Sequence, residues 1–250
     1  GLGDVYKRQF LPYARQMVNT WKSASEHLLQ TRLMEESEIR ITSSSTPGTY
    51  IIPSLIYLFR QSYPYITVIN HIQYTRSAIS DVIGGNFSLG IISQPASVGT
   101  DVLCCEPLME DPLVLVVHPQ HPWAEKRGIL FKEITEETLL ISNPNTSLVN
   151  YLEKEGRLSL EPSRLYVAGN IEAIKRGIRN HQGISIMSEY AVRQELELGL
   201  LKQVPLLDHP GLKRQLYTIF RKDTRFKLST SLFLEFFRKA AEDNRLLSQL

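Results

Sequence analysis

The apolar period of this chain switches from two residues to about 3.6 and back, over and over, and few folds tolerate that pattern. The clearest switch lies in "EIRITSSSTPGTYIIPSLIYLFRQSYP", residues 38–64. Ile39 and Ile41 alternate as in a strand, and five hydroxyl residues follow, Thr42 to Thr46. After Pro47 and Gly48 the apolar residues recur at helical spacing. The pattern predicts a strand over 38–43 and a helix over 47–61. "YITVINHIQY" (65–74) is β-branched and aromatic, as strands prefer. "SAISDVIGGN" (77–86) reads as a helix stopped by two glycines, and "FSLGIIS" (87–93) as a strand. Strand, helix, strand, helix, strand argues for parallel βαβ units.

A second set of similar plan follows. Strands are expected at 112–119, 138–142, 164–169 and 183–188, and helices at 145–156, 171–181 and 189–199. "HPWAEKRGILFKEI" looks like a loop with a short helix. A last strand (214–222) and helix (229–243) come after the second set closes and could complete either lobe. Residues 10–36 instead read as one amphipathic helix, apolar at Leu11, Ala14, Met17, Trp21, Ala24, Leu28 and Leu33. Such a stripe needs a partner, either a second copy in a dimer or the body of the protein. Residues 1–9 fit nothing that follows. Asp4 to Gln9 is the peptide that the transposase mosaic end of sequencing libraries encodes, so 1–9 are expected to be a non-native junction and are left out of the fold.

Composition narrows the function classes. A net charge of +2 on 250 residues is too small for nucleic-acid binding by charge alone. No run is long enough for a transmembrane helix, so no membrane partner is expected, and no signal peptide is visible at the start. The two cysteines, Cys104 and Cys105, are adjacent, and neighbours rarely bridge each other. Reduced thiols favour a cytoplasmic location. Oxidant sensing is the alternative for the pair, and a small half-buried pair on a strand is the simpler reading.

The hydroxyls carry the functional argument. A strand that turns directly into a helix leaves the first helical N–H groups unpaired. Ser45 or Thr46 can cap them, with Pro47 at the first helical position. One hydroxyl suffices, and the others need a reason. A helix N-terminus at the carboxyl end of a parallel strand is an anion site, worth about 0.3–1 kcal/mol from the macrodipole. The second set repeats the device. "SNPNTSL" (142–148) places Asn143, Asn145, Thr146 and Ser147 at a turn, and "AGNIEAI" (168–174) places Asn170 before a helix. Each turn alone could be a simple cap. Two such lobes suggest a cleft for a small anionic or zwitterionic molecule.

From Phe10 onward the chain resembles the linker helix and effector-binding domain of the LysR-type transcriptional regulators. The motifs are "LPYARQM", the 38–64 stretch, "DVIGGNFSLGII", "EPLMEDPLVLVVHPQHPWA", "NIEAIKRGIRNHQGISIMSEYAV" and "RQLYTIFRK", in order along nearly the whole chain. The resemblance implies an α/β fold of the periplasmic-binding-protein-like type 2. Two Rossmann-like lobes are joined by two crossover strands and preceded by a linker and dimerisation helix over 10–36. Lobe I would be 38–110 plus 217–250, and lobe II 111–216. It implies a winged helix-turn-helix upstream of Phe10 that reads promoter DNA, and a homodimer or homotetramer. By position, Ser44 and Thr46 would hold the effector from the first lobe, Ser93 would face the cleft, and Asn143 and Thr146 would close from the second. Ser45, Ser147 and Asn170 join them from the turn argument. Two departures stand out. Ser88 occupies a position where the family commonly has aspartate. Pro47 stands where some members place a side-chain donor, so that contact is lost.

No catalytic constellation emerges. His118 and His121 in "HPQHP" have no further ligand nearby, so no metal is expected. Glu106, Glu110 and Asp111 pair with no nucleophile or base, and read as solvated or salt-bridged at the lobe hinge. No Walker loop, dinucleotide fingerprint or nucleophile elbow is present, and no cofactor is implied. Arg76 could guard the cleft for an anion. The alternative to a regulator is the solute-binding protein of an importer, which shares the architecture but has no need of the 10–36 helix. An enzyme on this fold is the third reading.

Overall fold

The long helix is where sequence and fold first diverge. The computed structural model describes residues 2–35, 38–94, 101–143, 149 and 161–242. In it α1 runs Leu2–Glu35, so the helix includes most of the segment set aside as a junction, and it carries Pro12 inside. Proline costs a helix one hydrogen bond. The apolar stripe does not lie on the body of the protein, for Trp21 is 75% exposed and Leu28 72%.

After α1 the βαβ expectation holds. β1 (Glu38–Ser44) pairs in parallel with β2 (Thr67–Gln73) and with β3 (Leu89–Ile92). Between them lie α2 (Ile52–Ser62) and α3 (Thr75–Ile83). The expected 47–61 helix opens as a π-turn over Pro47–Ile51. Gly48 permits it, because a Cβ there would sit 2.3 Å from Ser43 Oγ.

Two long strands then dominate. β4 runs Leu103–Val117, well upstream of the strand expected at 112. β4 carries Pro107 and Pro112 within it. Here the register shift between Pro107 and Met109 absorbs the first, as a bulge can. Beyond the 3₁₀ turn Phe131–Glu136 come β5 (Leu139–Ile141) and β6 (Leu165–Val167), a parallel pair. α4 (Ile171–Arg179), β7 (Ser185–Ser188), α5 (Glu189–Glu197) and β8 (Lys202–Val204) follow. β8 was not anticipated from sequence. The helix expected at 145–156 lies outside the described residues, save Val149. β9 (Lys213–Arg221) and α6 (Leu228–Glu242) complete the described fold.

The main sheet has the order β2-β1-β3-β9-β4-β7, with β8 also on β4. β9 pairs antiparallel with both β3 and β4, and the far half of β4 pairs with β7 and β8. So β4 and β9 belong to both halves of the molecule. Residues of β4 alternate between two cores, as a strand buried on both faces must. Leu113, Leu115 and Val117 join Phe131, Ile134 and Ile186, while Val114 and Val116 join Leu140, Ile174 and Ile178. α6 closes the first set, placing Phe233 and Phe237 against Ile41, Leu55 and Phe59. Phe233 meets Phe59 edge-on at 5.2 Å, the geometry that aromatic quadrupoles prefer.

One ion pair sits in the middle of the crossing. Asp111 lies opposite Arg214 in the β4–β9 register. Its carboxylate is fully buried and accepts from Arg214 Nε at 2.7 Å and from Ser188 Oγ at 2.5 Å. The three hinge carboxylates thus split. Glu110 pairs with Lys213 at 2.6 Å in solvent and Glu106 pairs with Arg238, whereas Asp111 is part of the core. Removing one member of a buried pair strands the other charge. We expect Asp111→Ala to lower stability by about 3–5 kcal/mol, read as a fall in the urea midpoint. Glu110→Ala is expected to cost about 1 kcal/mol or less.

Candidate functional site

The hydroxyl run divides its labour. Thr42 Oγ1 donates to the His71 carbonyl at 3.2 Å and accepts from Gln73 Nε2 at 2.8 Å. Ser43 Oγ donates to Asn70 Oδ1 at 2.8 Å. These two side chains tie β1 to the edge strand β2. Ser44, Ser45 and Thr46 instead line a cleft of about 670 Å³, a volume suited to a small molecule. Ser44 and Thr46 are buried and Ser45 is exposed. Ser44 Oγ donates to Ser93 Oγ at 3.3 Å, so Ser93 shares the same wall.

The capping role expected for Thr46 is not observed. Thr46 has helical backbone angles and makes no side-chain cap. Its Oγ1 accepts from Arg214 Nη2 at 2.9 Å instead. A guanidinium presents donors in a rigid fork, and here the fork joins Thr46 to Asp111. The chain Thr46–Arg214–Asp111–Ser188 therefore runs from the first set of elements to the second, along the cleft floor. Thr46, Arg214 and Ser188 are all lining residues.

The opposite wall comes from the loops after β5 and β6. Asn143 and Asn170 both line the cleft. Asn170 caps α4 as its position suggests, with Oδ1 accepting from Ala173 N–H at 2.8 Å. Pro144 to Leu148, which include Asn145, Thr146 and Ser147, lie outside the described residues. The 72–77 segment closes the rim with Ile72, Gln73, Tyr74 and Arg76, and Ile186 and Met187 supply apolar surface. Arg76 is exposed, and its side chain makes no ion pair or hydrogen bond to another described residue. Arg214 is neutralised by Asp111, so the unspent positive charge in the lining belongs to Arg76.

Sequence reasoning reached both walls and missed the floor. In "RQLYTIFRK" Arg214 reads as one more strand residue, and its partner lies 103 positions away. Only the register that pairs them reveals the site. Ser188 was hidden in the same way.

Other candidates have local explanations. His118 Nδ1 accepts from Gln120 N–H at 3.0 Å, and its ring lies on His181 at 3.6 Å. Among the described residues no three metal-binding side chains converge. Cys104 and Cys105 are free and half-buried. Burial, then the nearby Glu106 carboxylate, push the Cys104 thiol above its usual range, which disfavours the reactive thiolate.

Comparison with known proteins agrees with this geometry. The family model described as the LysR substrate binding domain matches residues 34–242. A curated relative from Cyanidioschyzon merolae, "Probable RuBisCO transcriptional regulator", is 28% identical over 217 residues, which is 84% of this chain and 71% of the relative. The regulatory domain of Synechocystis PCC6803 CcmR, solved in complex with 2-PG, matches with TM-score 0.72 and 23% identity, covering 82% of this chain and 98% of that one. The effector binding domain of QuiR in complex with shikimate matches with TM-score 0.69 and 21% identity, covering 82% and 97%. At such identities the two structures establish a shared fold, the two-lobed periplasmic-binding-protein-like type 2 arrangement. With the family model spanning most of its length, the chain belongs to the LysR family of transcriptional regulators and carries that family's effector-binding domain.

Proposed function

We propose that the cleft binds a small organic anion or zwitterion and that its occupancy is the signal the regulator reads. The observation that carries this is the convergence on one cleft of neutral donors from two walls with, among the described residues, a single unpaired cation. Ser44, Ser45, Thr46 and Ser93 would contact the ligand from lobe I, residues 38–110 with 217–250. Asn143, Thr146, Ser147 and Asn170 would contact it from lobe II, residues 111–216. Hydroxyls and amides recognise oxygen-rich groups, and the cation Arg76 favours a carboxylate or phosphate over a neutral ligand. That the CcmR domain holds 2-PG and the QuiR domain shikimate supports a metabolite of that size here.

The rest of the assignment follows the family. A winged helix-turn-helix joined to the N-terminal side of α1 would contact promoter DNA. α1 would pair with its own copy in a homodimer or homotetramer, since its stripe is exposed at Met17, Trp21 and Leu28. The protein would work in the cytoplasm, in keeping with reduced Cys104 and Cys105. No catalytic step is assigned to it. The family match favours this reading over an importer's solute-binding protein.

A thermal-shift screen of small carboxylates and phosphates tests the cleft. A ligand at about 100 times its Kd should stabilise the protein by ~2.7 kcal/mol. Ser44→Ala with Thr46→Val should abolish that shift, and an unchanged shift places the ligand elsewhere. Arg76→Ala should weaken an anionic hit about tenfold at low salt. Titration calorimetry should show that difference shrinking as salt rises, because Arg76 is exposed. For the helix, light scattering should report a smaller species when Trp21 and Leu28 are both changed to Asp.

A further inference from the structure

A buried lysine outside the cleft lining is not explained by effector binding. Lys175, on α4, has a side chain only 7% exposed. Its Nζ lies 2.7 Å from Glu172 Oε1 and 2.8 Å from Glu195 Oε1, and donates to the Ala191 carbonyl at 3.1 Å. A buried ammonium needs such partners. Glu195 and Ala191 both belong to α5, so the second lobe satisfies the lysine from its own elements.

One bond of this cluster leaves that lobe. Tyr50 Oη donates to Glu172 Oε1 at 2.8 Å, across 122 residues of sequence. Tyr50 sits in the π-turn that begins directly after Thr46. Its ring also faces Lys175, with Nζ 5.2 Å from the centroid, a cation–π contact. Burial, then Glu172, push the Tyr50 phenol above its usual range, so it stays a protonated donor. Tyr190 of α5 also packs on the first core. The two ends of the bond adjoin the two cleft walls. Thr46 lies just before the π-turn, and Asn170 and Ile171 lie just before Glu172.

We propose that the Tyr50–Glu172 bond is a clasp across the cleft, with Tyr50 as its positioning residue, which holds the π-turn of one wall against α4 of the other. This rests on the cleft being the effector site. The bond exists only when the walls are together, so it favours the closed arrangement. Losing it lowers the closed fraction, and the apparent Kd for any ligand that touches both walls rises by that factor.

Hydrogen–deuterium exchange on the whole chain without ligand tests this. Tyr50→Phe keeps the ring over Lys175 and removes only the hydroxyl. Amides of 48–52 and 171–175 should exchange roughly three- to tenfold faster, with the strands of both cores unchanged. Glu172→Ala should reproduce the effect. Glu172→Gln, which keeps an acceptor for Tyr50, should restore slow exchange at 48–52. Unchanged exchange in Tyr50→Phe overturns the clasp, and so does faster exchange spread through both cores, which marks a merely structural residue. The assay contains no ligand, so its failure counts against the clasp alone, and failure of the anion screen counts against the effector reading.

Discussion

Everything in this molecule turns on a carboxylate that water does not reach. Asp111 is fully buried where β4 and β9 pass between the two halves of the fold. A charge in that place is costly unless it is paired and hydrogen-bonded. Arg214 and Ser188 meet that demand, and by doing so they fix three things at once. The register of the two crossing strands is set, because only one alignment puts Arg214 opposite Asp111. The start of α5 is held to β4 through Ser188. The Nη2 donor of Arg214 is aimed at Thr46, so the cleft floor is a by-product of the pairing that holds the crossing.

The same logic accounts for the dense hydroxyls of residues 42–46. A strand end next to a ligand cleft faces two tasks, holding its neighbour strand and presenting donors. Thr42 and Ser43 serve the first and Ser44 to Thr46 the second. Neutral donors suit this place. A charged side chain beside Asp111 and Arg214 would compete with their pairing, whereas hydroxyls can turn to accept or donate as an occupant requires.

Much of the fold was legible because it is local. The βαβ units are written in apolar periodicity, and their strands and helices differ from expectation mainly at their ends, where assignments are soft. The failures share a cause. The expected strand at 112–119 leaves out the first half of β4, where Pro107 interrupts the pattern, and only a paired neighbour such as β9 can absorb that proline through a bulge. β8 was missed because three residues carry too little pattern. Thr46 was read as a cap because capping is what an isolated threonine does at a helix start, and no local signal announces a guanidinium that competes for its oxygen.

By itself the sequence determined the class of fold, the two polar walls and the apolar stripe of α1, because each is encoded within a few residues of its neighbours. Tertiary structure alone decided the rest. It paired Asp111 with Arg214, left Arg76 as the unspent charge among the described lining residues and brought Tyr50 to Glu172. Each of these joins groups far apart in the chain. Such contacts follow from strand register and from the cost of unpaired buried charge, and neither is visible until the strands have crossed.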